Sequence, residues 1–226
     1  MTTPDLADTR PSRAHLQAMA DAGPAHLLNC DLSELDLSGL DFSQWQFDRC
    51  NLRQTRLTNA ILEGARMTGC RGGHANFSAA RILDADLRAC DFNNASFTET
   101  LLSDVAFTGC KLTGAAFIRT KAMSVRFEDC LMSDARLPGF SFRKATLAQV
   151  DLSLADLSGC DFRDAVFDGC SLREALLTGA RFEGADLRGA DLGGLRLTDA
   201  ARFKGATVSR RQAAELLAQL GLQVAP

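Results

Sequence analysis

The sequence predicts an all-β solenoid, a four-sided parallel β-helix of about 8.5 coils ending in a C-terminal α-helix, and three observations predict it. Every fifth residue from Leu32 to Leu197 is large and apolar: 17 Leu, 12 Phe, two Met and one Ile in 34 places, broken only by Gly72 and Ala122. Two residues before each lies a second series, Cys30 to Leu195, in which 15 of 34 are Ala and eight are Cys. All eight cysteines fall in that series, and Cys30, Cys50, Cys70, Cys90, Cys110, Cys130 and Cys170 differ by multiples of 20, with Cys160 elsewhere.

A helix repeats every 3.6 residues and a strand every second one, so neither explains a period of five. A chain that turns a corner every five residues does. Leu or Phe then fills the axis, and Ala or Cys fits the tighter place beside it. Four corners make one coil, and coils stacked at the strand spacing of ~4.8 Å give a rod roughly 40 Å long. The cysteines at multiples of 20 become one interior column, interrupted by Val150. No His or carboxylate joins that column, so a small apolar filler is favoured there over a metal or redox ladder.

The domain boundaries follow from this register. Residues 1–29 read as a flexible N-terminus with a short capping helix, Ser12 at its N-cap, Leu16 and Met19 along it, and an end near Gly23. The segment before Ser12 is expected to be disordered. Residues 30–208 form the β-helix, with Gly72 and Ala122 as thin spots in its core. The extra residue Ala201 shifts the register, placing Phe203 and Val208 inward in a last partial turn. Residues 209–226 form the closing helix: Ser209 and Gln212 make a capping box, Leu216, Leu217 and Leu220 follow, and Gly221 ends it.

Composition narrows the function. The 226 residues carry a net charge of −3, with no Tyr, one Trp and three His. That balance gives no cationic surface for nucleic acid or an anionic membrane. No run of eighteen apolar residues occurs, and Met1–Pro11 lacks the basic-then-apolar layout of a signal peptide, so a cytoplasmic protein with reduced cysteines is expected. His15, His26 and His74 lie in separate contexts. The aspartates that precede inward Leu or Phe, such as Asp31, Asp36 and Asp41, suit corner hydrogen bonds better than paired acid–base catalysis. A filled axis leaves no concave substrate pocket. A non-enzyme without metal or cofactor is predicted.

Ala155-Asp156-Leu157-Ser158-Gly159 and Ala185-Asp186-Leu187-Arg188-Gly189 resemble the A(D/N)LXX unit of the pentapeptide-repeat family, and the likeness spans about residues 30–200. It implies a right-handed quadrilateral β-helix. The stretch from Arg211 to Val224 is similar to the closing segment of Qnr-type members. That resemblance implies a homodimer joined end to end through Leu216, Leu217, Leu220, Leu222 and Val224. It also implies binding to DNA gyrase and topoisomerase IV, protection from quinolones or a toxin, and DNA mimicry by an acidic rod. A cap on a monomeric rod is the alternative for the same residues.

Residues 30–200 hold 24 Asp and Glu against 19 Lys and Arg, a net of −5. A duplex carries one charge per ~1.7 Å, so whole-rod mimicry does not fit. A local acidic band remains: Asp151, Asp156, Asp161, Asp164 and Asp168. The unbroken register leaves no room for projecting loops. The same register brings outward Ile61, Leu83, Leu101 and Met123 to one face, a stripe that suits a protein interface. Two functions follow: a topoisomerase-interacting protein, or a structural scaffold binding an unrelated protein through that face.

Overall fold

The computed structural model describes residues 4–195, 200–219 and 221–223. The chain winds into a parallel β-solenoid of about nine coils in which each residue pairs with the one 20 positions on, as in Asp31 with Asn51 and Asn51 with Arg71. Four faces result. The first is a nine-stranded sheet that starts with Leu6–Ala7, His26–Leu28 and Gln46–Asp48 and ends with Val166–Asp168. The second, third and fourth faces centre on Leu32, Leu37 and Phe42 and their equivalents in later coils; the fourth contains the strands Arg81–Leu83, Leu101–Ser103 and Lys121–Met123.

The corner is made by one residue. From Leu27 to Leu192 the second residue after each inward side chain takes a left-handed conformation except Gly189 after Leu187, for example Glu34 at φ 63°, Asn59 at 57° and Leu154 at 60°. L-residues enter that region at a cost of ~1–2 kcal/mol, which explains the Gly, Asn and Asp that recur there. The residue before the inward one secures the turn. Oδ1 of Asp31 accepts from Ser33 N at 3.1 Å, that of Asp41 from Ser43 N at 2.8 Å, and that of Asp151 from Ser153 N at 2.9 Å. The aspartate series therefore serves the backbone, as the sequence predicts.

The axis is packed throughout. Leu and Phe stand inward from Leu27 to Leu195, nearly all fully buried. Ladder spacing sets the ring spacing: Phe142, Phe162, Phe182 and Phe203 stack at 4.9, 4.9 and 5.0 Å. Both breaks in the large series are partly made good by a phenylalanine of the following coil, and the expected thin spots remain. A small apolar void lined by Leu62, Met67, Phe77, Ile82 and Leu87 lies at the level of Gly72, and Thr120 and Val125 beside Ala122 are only half-buried. A Cβ on Gly72 would lie 2.6 Å from the Phe92 ring, so that ring occupies the missing side chain's place. Phe140 stands where the neighbouring coils carry the smaller Thr120 and Cys160. Its ring meets Phe117 and Phe127, the inward neighbours on either side of Ala122, both at 6.1 Å. Ala122 itself stays half-buried.

The cysteine column has a physical reason. Where the corner is a closed turn, the inward residue's carbonyl accepts from the N–H three residues on, as Leu57 O does from Ala60 N at 3.0 Å. Along the first face, among the described residues, no such bond forms from Leu27 to Phe167; it appears only in the last coil, where Leu187 O accepts from Ala190 N at 3.0 Å. A thiol from the next coil donates to that carbonyl instead: Cys70 to Phe47 O at 3.2 Å, Cys110 to Leu87 O at 3.3 Å and Cys170 to Leu147 O at 3.2 Å. Cysteine is small enough for the site and is also a weak donor. All eight cysteines are free and buried. Burial pushes the Cys160 thiol up to about 12 and raises Cys30 and Cys170 as well.

Both ends are closed by the chain itself. At the N-terminus, helix α1 (Arg13–Ala22) is capped by Ser12, whose side chain accepts from His15 N, and it buries Leu16 on the first coil. Trp45 Nε1 donates to Gly23 O at 3.1 Å, and Arg13 Nη2 to Ser38 O at 3.0 Å on the open edge. In the segment before Ser12 the described residues, 4–11, are ordered rather than disordered, because Leu6–Ala7 extends the first sheet by pairing with Leu27–Leu28. The rod also starts earlier than residue 30, at the strand His26–Leu28.

At the other end the register slips by one residue, Asp186 pairing with Thr207, and the 3₁₀ turn Ala200–Phe203 takes up the insertion. Phe203 and Val208 pack half-buried against the core. Helix α2 (Arg210–Ala218) carries the expected capping box of Ser209 and Gln212. It closes with Leu222 N donating to Leu217 O at 3.2 Å and Gly221 N to Ala218 O at 3.0 Å, around Gly221 at φ 76°. Gln212 also reaches the rod: its Nε2 donates to Leu187 O and Ala190 O, both at 2.7 Å, sealing two carbonyls of the last coil. Leu197, Leu220 and Val224 lie outside the described residues.

Two variants test this packing. Gly72→Ala must displace the Phe92 ring and is expected to lower stability by about 1–3 kcal/mol in urea unfolding; an unchanged midpoint would show the site has slack. Gln212→Ala removes the side-chain donor from Ala190 O and leaves Leu187 O with Ala190 N alone, with an expected cost of about 1–3 kcal/mol by the same measurement. A loss no larger than that of Arg210→Ala, on the exposed side of α2, would contradict the capping role.

Candidate interaction surface

With the axis filled, any function rests on the outer wall and the two caps. The acidic residues singled out in the sequence do not form one surface. Asp151, Asp156, Asp161 and Asp168 lie on the second, third, fourth and first faces, and Asp164 sits on a corner, so the five encircle a single coil. Their ladder neighbours are not acidic: Asp151 stands between Leu131 and Ser171, and Asp156 between Arg136 and Leu176. Asp161 is also held by Arg163, with Nε at 2.8 Å from Oδ1 and Nη2 at 2.6 Å from Oδ2. A flat partner meets one or two of these carboxylates. Sequence order suggested a band, and the 20-residue winding turns it into a ring.

The apolar residues do share the fourth face, but cations interleave them. Ile61, Arg81, Leu101 and Lys121 succeed one another in one column, and Leu83, Ser103 and Met123 in the next. Ile61 and Leu83 are half-buried, Leu101 is exposed, and Met123 is the most open at 65%. Arg81 and Lys121 form no ion pair among the described residues. The result is a mixed cationic and apolar face rather than a continuous greasy stripe.

The closing helix divides its leucines. Leu216 is buried against its own rod at 9% exposure, so it belongs to the cap, which corrects its placement in a dimer interface. Leu217 is half-buried and Leu222 is exposed at 55%. The residues that the sequence reading missed are Gln212, Gln219 and Arg13, whose side chains finish open backbone edges; Gln219 Nε2 donates to Leu195 O at 2.7 Å. A glutamine at the third helical position was visible, but its reach to the last coil was not.

Of the histidines, His15 lies on α1, His74 is exposed on a corner, and His26 Nε2 lies 2.7 Å from Asp48 Oδ2 on the first face. They stand apart, as the sequence suggests. Among the described residues no group of three or more His, Cys, Asp or Glu is arranged to hold a metal, and no helix is long and apolar enough to cross a membrane.

The Arg163 guanidinium, bonded to Asp161, holds that carboxyl below its usual range. A depressed acid contributes stability that is present above the unfolded value, about 3.9, and is lost as pH falls through the folded one. Thermal melts from pH 6 down to about 2 should therefore show a shallower decline for Asp161→Asn than for the wild type. Equal slopes would show that the pair adds nothing.

Comparison with known proteins agrees with the architecture. A family model described as "Pentapeptide repeat region" matches residues 40–117 and 120–197, and one for "Pentapeptide repeats (8 copies)" matches residues 100–137. No curated protein is significantly similar in sequence. A trypsin-treated variant of QnrB1, a plasmid-mediated fluoroquinolone resistance protein, superposes with a TM-score of 0.64 at 24% identity, over 90% of this chain and 100% of that one. HetL from the cyanobacterium Nostoc, involved in heterocyst differentiation regulation, gives 0.51 at 22%, over 81% of this chain and 85% of its own. At these identities the likeness is one of fold. The five-residue register, the 20-residue ladder and the family match over both halves of the rod together make this chain a member of the pentapeptide repeat family.

Proposed function

We propose that this protein is a non-enzymatic binding rod of the cytoplasm whose partner is a type II topoisomerase, which it shields from fluoroquinolones or a topoisomerase poison. The observation that carries the reading is an axis packed with side chains from Leu27 to Leu195, which confines recognition to the exterior. Support comes from the fold shared with a fluoroquinolone resistance protein, over that protein's whole length. The charge layout argues against imitation of a whole duplex: acids and bases alternate along the columns, so contact is local, through shape and a few side chains.

The test is a DNA gyrase supercoiling assay with and without ciprofloxacin. The expected result is restored supercoiling in the drug's presence at micromolar protein. Neither protection nor inhibition at that level would remove the topoisomerase reading. The second reading, an adaptor for an unrelated protein, then stands on the fourth face, where exposed Leu101 and Met123 lie between Arg81 and Lys121.

The rod acts as an end-to-end homodimer in this proposal, through the outer side of the closing helix, where Leu217 and Leu222 remain once Leu216 is buried in the cap. Light scattering is expected to give twice the mass of one chain for the wild type and the mass of one chain for Leu217→Asp. A monomeric wild type would contradict it.

A further inference from the structure

The outer wall of the second face is interrupted at Gly73, and again at Gly193 in the last coil. The outward column one residue after the inward series begins Ser33, Arg53, Gly73, Asn93 and Thr113, and among these five Gly73 alone lacks a side chain. A hollow of about 180 Å3 opens there, with Gly73 as its floor and Arg53, Arg71, His74, Asp91 and Asn93 among its walls. The fold does not require this glycine. Its φ lies outside the left-handed region, and an added Cβ would be 3.7 Å from Asn93 O, an ordinary contact. Gly72 beside it is different, because the Phe92 ring needs its space.

The walls are rich in donors without partners. Arg53 and Arg71 are exposed and form no ion pair among the described residues. Asn93 Oδ1 accepts from Thr113 N at 3.0 Å, which fixes the carboxamide and leaves its Nδ2 donor free. His74 is held at the corner at φ 61° with its imidazole exposed. Asp91 supplies the one carboxylate, and its Oδ1 accepts from Asn93 N at 3.1 Å. Two guanidinium forks, an imidazole and an amide N–H around one small space match an oxyanion with three free oxygens. A carboxylate offers only two oxygens. The remaining Asp91 oxygen suits a ligand hydroxyl.

We propose that the Gly73 hollow binds a small phosphate monoester bearing a hydroxyl group. The test is a titration of the full chain with glycerol phosphate at low ionic strength, followed by the His74 imidazole proton resonances in NMR. With three histidines in the chain, the His74→Gln spectrum assigns them. The expected result is a saturable shift of His74 with His15 and His26 unmoved, and competition by inorganic phosphate. Arg53→Gln should weaken binding about tenfold, the loss of one charge-assisted pair. Gly73→Thr should abolish binding with the thermal midpoint kept. Arg136→Gln, at an arginine of the third face away from the hollow, should change nothing. A shift linear in concentration, an equal response to succinate, or equal weakening by Arg136→Gln and Arg53→Gln would overturn the proposal.

Discussion

The structure depends on one backbone constraint: a left-handed residue at every fifth position from Asn29 to Gly184, in phase with a hydrogen-bonded ladder of period 20. The corner fixes which side chains face inward, and the ladder fixes which of them stack. A coil cannot bury its own face, so each gains stability only from the coils above and below it. That is why the large series tolerates so little change, and why its two departures are met by a phenylalanine one coil later: Phe92 over Gly72, and Phe140 beside Ala122.

A ladder solves the interior and exposes the ends. The first and last coils present unpaired backbone groups to whatever lies beyond them, an invitation to further stacking. This chain answers with side chains that imitate a missing strand. Arg13 donates to carbonyls of the first coil, and Gln212 and Gln219 donate to those of the last. Leu16 and Leu216 cover the apolar cross-sections. The cysteine column applies the same logic inside the rod: along the first face, where the corners up to Phe167 are not closed turns, a thiol supplies the donor that the backbone does not. The open turns of the fourth face at Ile82 and Leu102 meet Val105 and Val125 instead. Conserving bond partners for the main chain explains the two most conspicuous compositional features, the aspartates and the cysteines, without any chemistry of catalysis.

The fold was largely legible because its period is neither 2 nor 3.6, so the pattern from Leu32 onward admits few other chains. Cysteine spacing revealed the coil length independently. Three things were not legible. The N-terminal strand Leu6–Ala7 is too short to carry a pattern, and its place follows from an edge it completes. The compensation by Phe92 and Phe140 is a contact between coils, invisible to a count along one series. The outer surface was read least well: charges close in sequence, such as Asp151 to Asp168, diverge around the coil, while residues 20 apart become neighbours. Leu101 and Met123 were found because that rule was applied to them, and Gly73 was passed over because an absent side chain leaves no signal in a search for chemical groups.

Whether the axis is packed and free of ligands is best decided by thiol titration with an aromatic disulfide reagent, in buffer and then in denaturant. All eight cysteines lie in the packed interior and are free. The expected outcome is no reaction in the native state and eight equivalents after unfolding, released together. Several thiols reacting in the native state, or fewer than eight appearing on denaturation because some are bridged, would contradict a ligand-free axis built from five-residue corners.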